Sequence, residues 1–405
     1  MVVVRPGRRR SGGPHHAQRG PRTVVGGDRS ARLSRSGRRT GSQRPNYYRP
    51  RYVRRRDPMK IHINAWHDLA SPDAGGSEVV VDRAATELTR FGHDVTVSVP
   101  RPVGDHPYRT VVSGGFYTQF LRAPFNYFRH ARRADVVIDV VSGLAFFTPL
   151  WRRRARTICF MHHVHDEQWD DTYPGPVAVI GKFLELKVMP RVYREFIAVS
   201  PSTAKGLEGL GVRADAITVV PNGLDPAPVG LPDRDEELLF VVVARLAPNK
   251  RVALLLEMWR EVQRTTGGRL IIIGDGTERE RLEQMAVPNC EFLGQVRDRE
   301  RDAYLARASL LLVSSRREGW GLVILEAAQV GTPALAFDVD GVRDAIADGV
   351  TGVLVADEQQ FIAQWCALAG DDDRRRSLGD AARERSRNFT WESSARRLEA
   401  VLTGE

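Results

Sequence analysis

Two carboxylates, Glu318 and Glu326, flank an apolar stretch bracketed by glycine, Gly319-Trp320-Gly321-Leu322-Val323-Ile324-Leu325. Glu326 sits among Leu325, Ala327, Ala328 and Val330 and reads as partly buried. A buried acid must have hydrogen-bond donors, and two vicinal ribose hydroxyls would supply them. If the stretch is helical, the acids lie about 12 Å apart, roughly the reach from a ribose to a sugar across a diphosphate. The helix N-terminus between them would meet the phosphates. The plainer alternative is a helix-start acid and a salt-bridged interior glutamate. Upstream, Arg245 and Lys250 follow an apolar strand-like run. A diphosphate leaving group needs its charge compensated, and these cations suit that task unless they are simply solvated. Gly75-Gly76, ahead of Ser77-Glu78, lets backbone approach a ligand and opens a helix whose N-terminus favours anions; a capped glycine turn fits equally well. Neither this segment nor Gly274-Asp275-Gly276 has the third glycine of a dinucleotide fingerprint.

A second cluster is Phe160-Met161-His162-His163-Val164-His165-Asp166-Glu167. In an extended chain His163 and His165 share a face and His162 points away, which makes a three-histidine metal site awkward. The favoured role is an imidazole touching substrate, with metal binding or a structural role as alternatives. Asp338-Val339-Asp340 and Asp371-Asp372-Asp373 read as helix capping.

Short β-rich runs alternate with amphipathic stretches, which predicts an α/β fold with parallel sheets. Strands are expected at 61–65, 94–99, 135–140, 156–161, 195–199 and 216–220, with a helix over 77–91. The turn-rich Pro221-Asn222-Gly223-Leu224-Asp225-Pro226-Ala227-Pro228 reads as a linker. A second series has strands at 238–243, 270–273, 291–293, 310–313, 334–337 and 352–355, and an amphipathic helix over 391–402 closes the chain. Ligands of such doubly wound sheets bind beyond the C-terminal strand ends, so two facing halves would frame a cleft.

The chain has 405 residues and a net charge of +10, but the charge is uneven. Residues 1–57 hold 17 Arg, no Lys and two acids, whereas the remainder holds 43 bases against 48 acids. The folded part is therefore mildly acidic, which excludes a basic nucleic-acid-binding core. Residues 1–58, rich in Arg, Gly, Pro and Ser, cannot bury enough apolar surface to order and are expected to be disordered. They lack the apolar region of a secretory signal. Arg outnumbers Lys 55 to 5, as GC-rich coding produces. A start codon read too early, with Met59 as the true start, accounts for the stretch; an RNA- or lipid-binding tail is the alternative. Cys159, Cys290 and Cys366 are far apart, which excludes a disulfide framework and a zinc finger and fits a reduced cytosolic compartment. No apolar run reaches the ~18 residues of a membrane helix; the best, 136–150, is interrupted by Asp139.

Taken in order, these motifs resemble the retaining glycosyltransferases of family 4, whose GT-B architecture pairs two Rossmann-like domains across a cleft. The resemblance covers residues 59–405. It rests on Glu318 and Glu326 with Gly319, Gly321 and Gly331-Thr332-Pro333, on Arg245 and Lys250, on Pro221-Asn222-Gly223, on Gly75-Gly76-Ser77-Glu78, and on Phe389-Thr390-Trp391-Glu392. It implies an acceptor-side domain at 59–226, a nucleotide-sugar domain at 227–388 and a helix at 389–405 that crosses back to the first domain. It also implies that Arg245, Lys250, Gly75, Gly76, Gly321 and Leu322 hold the donor phosphates. Glu326 would bind the ribose, and Glu318, Gly319 and Trp320 would hold the sugar. His162 would lie near the reacting carbon. No metal or other cofactor is implied, and the usual mechanism is front-face displacement without a protein nucleophile.

Two departures are notable. Where many relatives carry His-x-His, this chain has Ile138-Asp139-Val140-Val141-Ser142-Gly143, so the acceptor side is expected to differ, with Asp139, His163 and His165 as candidate contacts. Trp320 stands where Phe is commoner and would make a larger wall beside the sugar. The expected activity is hexosyl transfer from a nucleotide-diphosphate sugar to a lipid-linked or glycan hydroxyl in cell-envelope polysaccharide or glycolipid synthesis. A nucleotide-sugar epimerase or a non-catalytic anion-binding protein are the alternatives. Residues 116–133 hold six aromatics and four Arg. Such a mixture suits an anionic membrane surface and suggests cytoplasmic protein held at the inner face of the membrane.

Overall fold

The computed structural model describes residues 57–71, 75–101, 104–115, 118–152, 156–166, 169, 175–285 and 287–405. The disordered tail expected over 1–58 lies, apart from its last two residues, outside the described residues, as do Phe116, Tyr117 and Glu167. Two all-parallel sheets form. The first has the order β3-β2-β1-β4-β5-β6-β7, from β1 (Lys60–Asn64), β2 (Asp94–Val99), β3 (Arg109–Val112), β4 (Val136–Val141), β5 (Arg156–Met161), β6 (Glu195–Ala198) and β7 (Ile217–Val219). The second has the order β10-β9-β8-β11-β12-β13, from β8 (Leu239–Val243), β9 (Arg269–Ile273), β10 (Cys290–Gly294), β11 (Leu310–Val313), β12 (Ala334–Phe337) and β13 (Gly352–Val355). Helices cover both faces, which is why β4, β11 and β12 are buried at every position and read as unbroken apolar runs. This is the GT-B arrangement of two Rossmann-like halves. In each sheet the strand order reverses beside the first strand, between β1 and β4 and between β8 and β11, where such folds place ligands.

Two elements depart from the sequence expectation. Strand β3 was not anticipated, because it is a four-residue edge strand with only Val111 buried and so has almost no periodic signal. Proline disfavours a helix interior, yet Pro124 lies inside a helix, Thr118–Asn126. The missing proline amide is accommodated by a π-helical turn, Tyr127–Ala131, which re-registers the ladder just after it.

The helix Trp391–Thr403 returns to the first sheet's side and packs on the helix Gly76–Arg90. Trp391, Leu398 and Leu402 share one apolar cluster with Val80, Leu88 and Trp320. Arg156 donates to the carbonyls of Val401 (2.7 Å) and Leu402 (2.5 Å), and His93 lies 3.3 Å from Glu399. The linker threads beneath this crossing: Leu224 pairs with Thr390 and donates its N–H to Phe389. Gly223 must be glycine because a Cβ there would lie 2.5 Å from the backbone of Thr390. Gly223→Val should therefore lower thermal stability by about 1–3 kcal/mol as an overpacked site. Gly209→Ala, where a Cβ meets nothing, should melt within about 1 kcal/mol of the parent.

Candidate active site

The loops after β8, β11 and β12 are laced together at the second sheet's C-terminal edge. Glu318 accepts from Lys250 Nζ (2.5 Å) and Ser315 Oγ (2.6 Å), both on Oε1. Ser314 Oγ donates to the Lys250 carbonyl (2.7 Å), Arg251 Nε donates to the Ser314 carbonyl (2.8 Å), and Arg316 N–H donates to Asn249 (2.8 Å). The Glu318 N–H reaches the Asp340 carbonyl (3.1 Å). Lys250 and Glu318, expected on phosphate and on sugar respectively, are thus paired with one another.

The two expected anion-binding helix starts face each other. Gly321, with φ of +76°, caps the helix Leu322–Gln329 in the left-handed region that glycine favours. A Cβ on Gly76 would lie 3.5 Å from Leu322 Cδ1, and one on Gly75 would lie 2.9 Å from the Arg245 guanidinium. Arg245 therefore reaches across from the second half to the first helix's entry. The Gly75 N–H donates to Glu78 Oε2 (2.8 Å), as does Ser77 Oγ (2.8 Å). The capped turn is thus real and leaves the following amides of that helix for an anion.

Glu326 lies in the Leu322 helix with its side chain 26% exposed, 3.5 Å from Arg301 on the helix Asp298–Arg307. Burial pushes its carboxyl above the usual carboxylate range, and Arg301 opposes that shift. Arg301 is a functional neighbour that the sequence did not reveal, because its pairing is across two helices with no shared motif. Trp320 does not form a wall of the cleft as expected. It is buried and packs edge-on against Phe389 at 5.4 Å, so its size serves the C-terminal crossing.

His162 sits at the end of β5, where a Cβ on Gly319 would lie 2.7 Å from its carbonyl, and Thr203 Oγ1 donates to that carbonyl (3.0 Å). Its ring stacks on Phe160 at 5.3 Å and its Nε2 is buried with no hydrogen-bond partner among the described residues. Burial, with His165 adding to it, pushes its pKa down to about 4. The imidazole is therefore neutral at physiological pH and offers one unspent polar atom. Arg317 donates to the Val164 carbonyl (2.8 Å), a second contact between the halves beside this histidine.

Two other candidates of the first half, Asp139 and His165, are held by structural hydrogen bonds. The Asp139 carboxylate, fully buried, accepts from Asn64 Nδ2 (2.8 Å), Thr148 Oγ1 (2.9 Å), Thr148 N (3.1 Å) and Tyr193 Oη (2.5 Å). Burial raises its pKa against these donors. With four donors on two oxygens it has no capacity left for an acceptor, so the acceptor-side role expected for it is withdrawn. His165 is likewise held, with Nδ1 3.0 Å from Glu185, which also takes the Trp169 indole N–H (2.5 Å). The His163 and His165 rings lie 4.1 Å apart, as the extended geometry requires. Among the described residues no group of three or more His, Cys, Asp or Glu is arranged to hold a metal ion. A cavity of about 890 Å³ lined by Arg156, Glu195 and Arg397 opens at the opposite end of the first sheet, away from this chemistry.

The chain matches two family profiles, Glycosyltransferase Family 4 over residues 74–228 and Glycosyl transferases group 1 over residues 228–385. It is 33% identical to a D-inositol 3-phosphate glycosyltransferase of Xylanimonas cellulosilytica, over 83% of this chain and 93% of the relative. A D-inositol 3-phosphate glycosyltransferase of Nocardia farcinica is 28% identical over 84% of this chain and 87% of the relative. Among solved structures, HepE of Anabaena in complex with UDP and glucose superposes with a TM-score of 0.70 at 17% identity, covering 86% of this chain and 100% of that one. The sucrose-phosphate synthase of Thermosynechococcus elongatus gives 0.71 at 20% identity, covering 85% and 98%. At these identities the solved structures speak to the fold.

Two pH experiments test the site. A histidine that titrates near 4 is neutral from about pH 5 upward, so the rate of the parent should show no His162 limb between pH 6 and 8. His162→Gln should retain more turnover than His162→Ala, since an amide keeps a polar atom near Nε2. For Glu326, only the ionised carboxylate accepts from two hydroxyls. Nucleotide binding should therefore strengthen as pH rises through its raised pKa, and calorimetry of Glu326→Gln should show that dependence flattened.

Proposed function

Because the chain belongs to the glycosyltransferases of family 4 and is such an enzyme, we propose that it moves a hexose, with retention, from a nucleotide-diphosphate donor to a hydroxyl acceptor. What supports this reading most is the convergence of Arg245, Lys250, Glu318 and the start of the Leu322 helix on one edge, facing Gly75 and Gly76. Two cations and oriented backbone amides match a diphosphate, and Glu326 beyond them matches a ribose diol. HepE, which shares the fold, is described in complex with UDP-glucose. On this reading Lys250 swings between Glu318 and the phosphates, and Glu318 then faces the sugar as positive charge develops there.

The acceptor oxygen bonds to the anomeric carbon as the bond to the diphosphate oxygen breaks on the same face. The acceptor proton passes to the departing phosphate oxygen, so no protein nucleophile is required. His162, neutral and buried, contributes a hydrogen bond and transfers no proton in the reaction. The cations and helix start take the role a divalent metal would otherwise fill, so we propose metal-independent transfer with no cofactor.

We place the reaction at the cytoplasmic face of the membrane, on lipid-linked or glycan acceptors of the cell envelope. No helix among the described residues is long and apolar enough to span a membrane. Contact would instead be peripheral, through Leu121, Phe125 and Phe128, which are exposed beside Arg122, Arg129, Arg132 and Arg133. A second acceptor class, a soluble inositol phosphate, is favoured by the names of the relatives. Nucleotide release measured over a panel of nucleotide sugars, with a lipid-linked acceptor or inositol 3-phosphate, discriminates the two. Release should require an acceptor and persist in EDTA; loss restored by a divalent ion would defeat metal independence. Lys250→Ala and Arg245→Ala should each weaken nucleotide-diphosphate binding tenfold or more, from charge-assisted hydrogen bonds of ~1.5–3 kcal/mol. The nucleoside alone should bind them as it binds the parent.

A further inference from the structure

The aromatic segment is not the only unpartnered apolar surface on the first half. The helix Gly175–Phe183 turns Ala178 and Gly181 inward and leaves Val179, Ile180 and Phe183 about 60% exposed (66%, 60% and 59%). Its cations are Lys182, then Lys187, Arg191 and Arg194 in the turns that follow. Between residues 175 and 194 the sole acid is Glu185, which is buried on His165 and Trp169; Asp170 and Asp171, ahead of the helix, lie outside the described residues. The aromatic segment has the same character: no acid occurs from residue 106 to residue 134.

The two helices share one aromatic spine. Phe120, on the helix Thr118–Asn126, stacks edge-on to Trp66 at 5.3 Å. A Cβ on Gly143 would lie 3.1 Å from Trp66 and 3.7 Å from Trp169, and one on Gly181 would overlap the Trp169 ring. The inward sides of both helices therefore meet Trp66, Gly143 and Trp169, which follow the C-terminal ends of β1, β4 and β5. That is the edge on which His162 stands. The exposed apolar side chains of both helices point away from this shared spine.

We propose that the helix Gly175–Phe183 is the second half of a membrane-docking face, and that its occupant is an anionic lipid bilayer. Ile180 and Phe183 enter the headgroup boundary while Lys187 and Arg191 meet lipid charge. Charge complementarity selects this occupant: paired apolar faces rimmed by cations, with no exposed acid among the described residues of 106–134 and 175–194, are what interfacial helices present, and each surface cation attracts anionic lipid by roughly fivefold in affinity. The inference rests on the proposed membrane contact of the aromatic segment and extends it. Two attachment points flanking one sheet edge hold that edge toward the bilayer, whereas a single helix leaves it free to tilt.

The test is co-sedimentation of the full chain with vesicles of phosphatidylcholine mixed with phosphatidylglycerol, and with phosphatidylcholine alone. The N-terminal arginines are constant across all variants, so differences report the helices. Ile180→Ser with Phe183→Ser should cut binding to the anionic vesicles on the order of tenfold, with nucleotide release to a water-soluble acceptor unchanged. Lys187→Gln with Arg191→Gln should cut it further at low salt than at high salt. Arg129→Gln, Arg132→Gln and Arg133→Gln together test the aromatic segment alone. Loss in that variant without loss in the Ile180 and Phe183 variant overturns the second face and leaves the first contact standing. A shift of Ile180→Ser with Phe183→Ser from dimer to monomer in sedimentation velocity, with vesicle binding intact, assigns the helix to self-association and also overturns the proposal.

Discussion

The approach of Gly319 to the carbonyl of His162 is the constraint on which the site depends. It brings the C-terminal edges of two separate sheets to within contact of each other, and a side chain at position 319 would close that space with its first carbon. The same carbonyl is fixed by Thr203, so the first half presents a rigid surface. On the other side, Gly341 folds back on Gly319, where a Cβ would lie 2.9 Å from its carbonyl carbon. Glycine is thus used twice in succession to stack three stretches of backbone. Arg245 over Gly75 and Leu322 beside Gly76 follow from that registration, since neither long side chain could reach across a wider gap.

Electrostatics within this frame follow one pattern. Each acid that the site needs is partnered by a cation from a different element, Glu318 by Lys250 and Glu326 by Arg301. An unpaired carboxylate at such depth would take up a proton. Burial raises the Glu326 pKa while Arg301 opposes that shift, and Lys250 occupies Glu318, so a ligand that reaches either acid must exchange contacts with a cation. His162 takes the opposite course: burial leaves it neutral, with its Nε2 unpartnered among the described residues.

Much of this was legible in the sequence because it is local. The strand runs, the glycine-bracketed helix start and the Arg245 and Lys250 spacing are patterns within a few residues of each other. The capping role of Asp371 could be read that way too, whereas Asp338 and Asp340, expected as caps, instead pair with the Arg343 guanidinium and the helix Val342–Ala345 starts without a side-chain cap. What escaped is made by tertiary contact. Asp139 looked like a spare acid at a strand end, and only the fold shows Asn64, Thr148 and Tyr193 converging on it. Trp320 looked like a cleft wall because its neighbours are site residues, yet its ring is directed by Phe389, far along the chain. Arg301 and Glu185 carried no motif at all. The second apolar helix was not read from the sequence for another reason: an apolar run does not tell which of its side chains face inward, and only the structure shows Val179, Ile180 and Phe183 exposed.

The Arg156 grip on the carbonyls of Val401 and Leu402 has a bearing on how the chain is made. The first sheet is complete once β7 has left the ribosome, but the helix Gly76–Arg90 packs against Trp391–Thr403, the last of the described elements along the chain. Through the intervening translation the nascent first half carries an uncovered greasy stripe, a standing invitation to misassociation and to chaperone capture. Consolidation of the first half therefore waits for a helix that follows the whole of the second half along the chain, which ties the maturation of the two halves together.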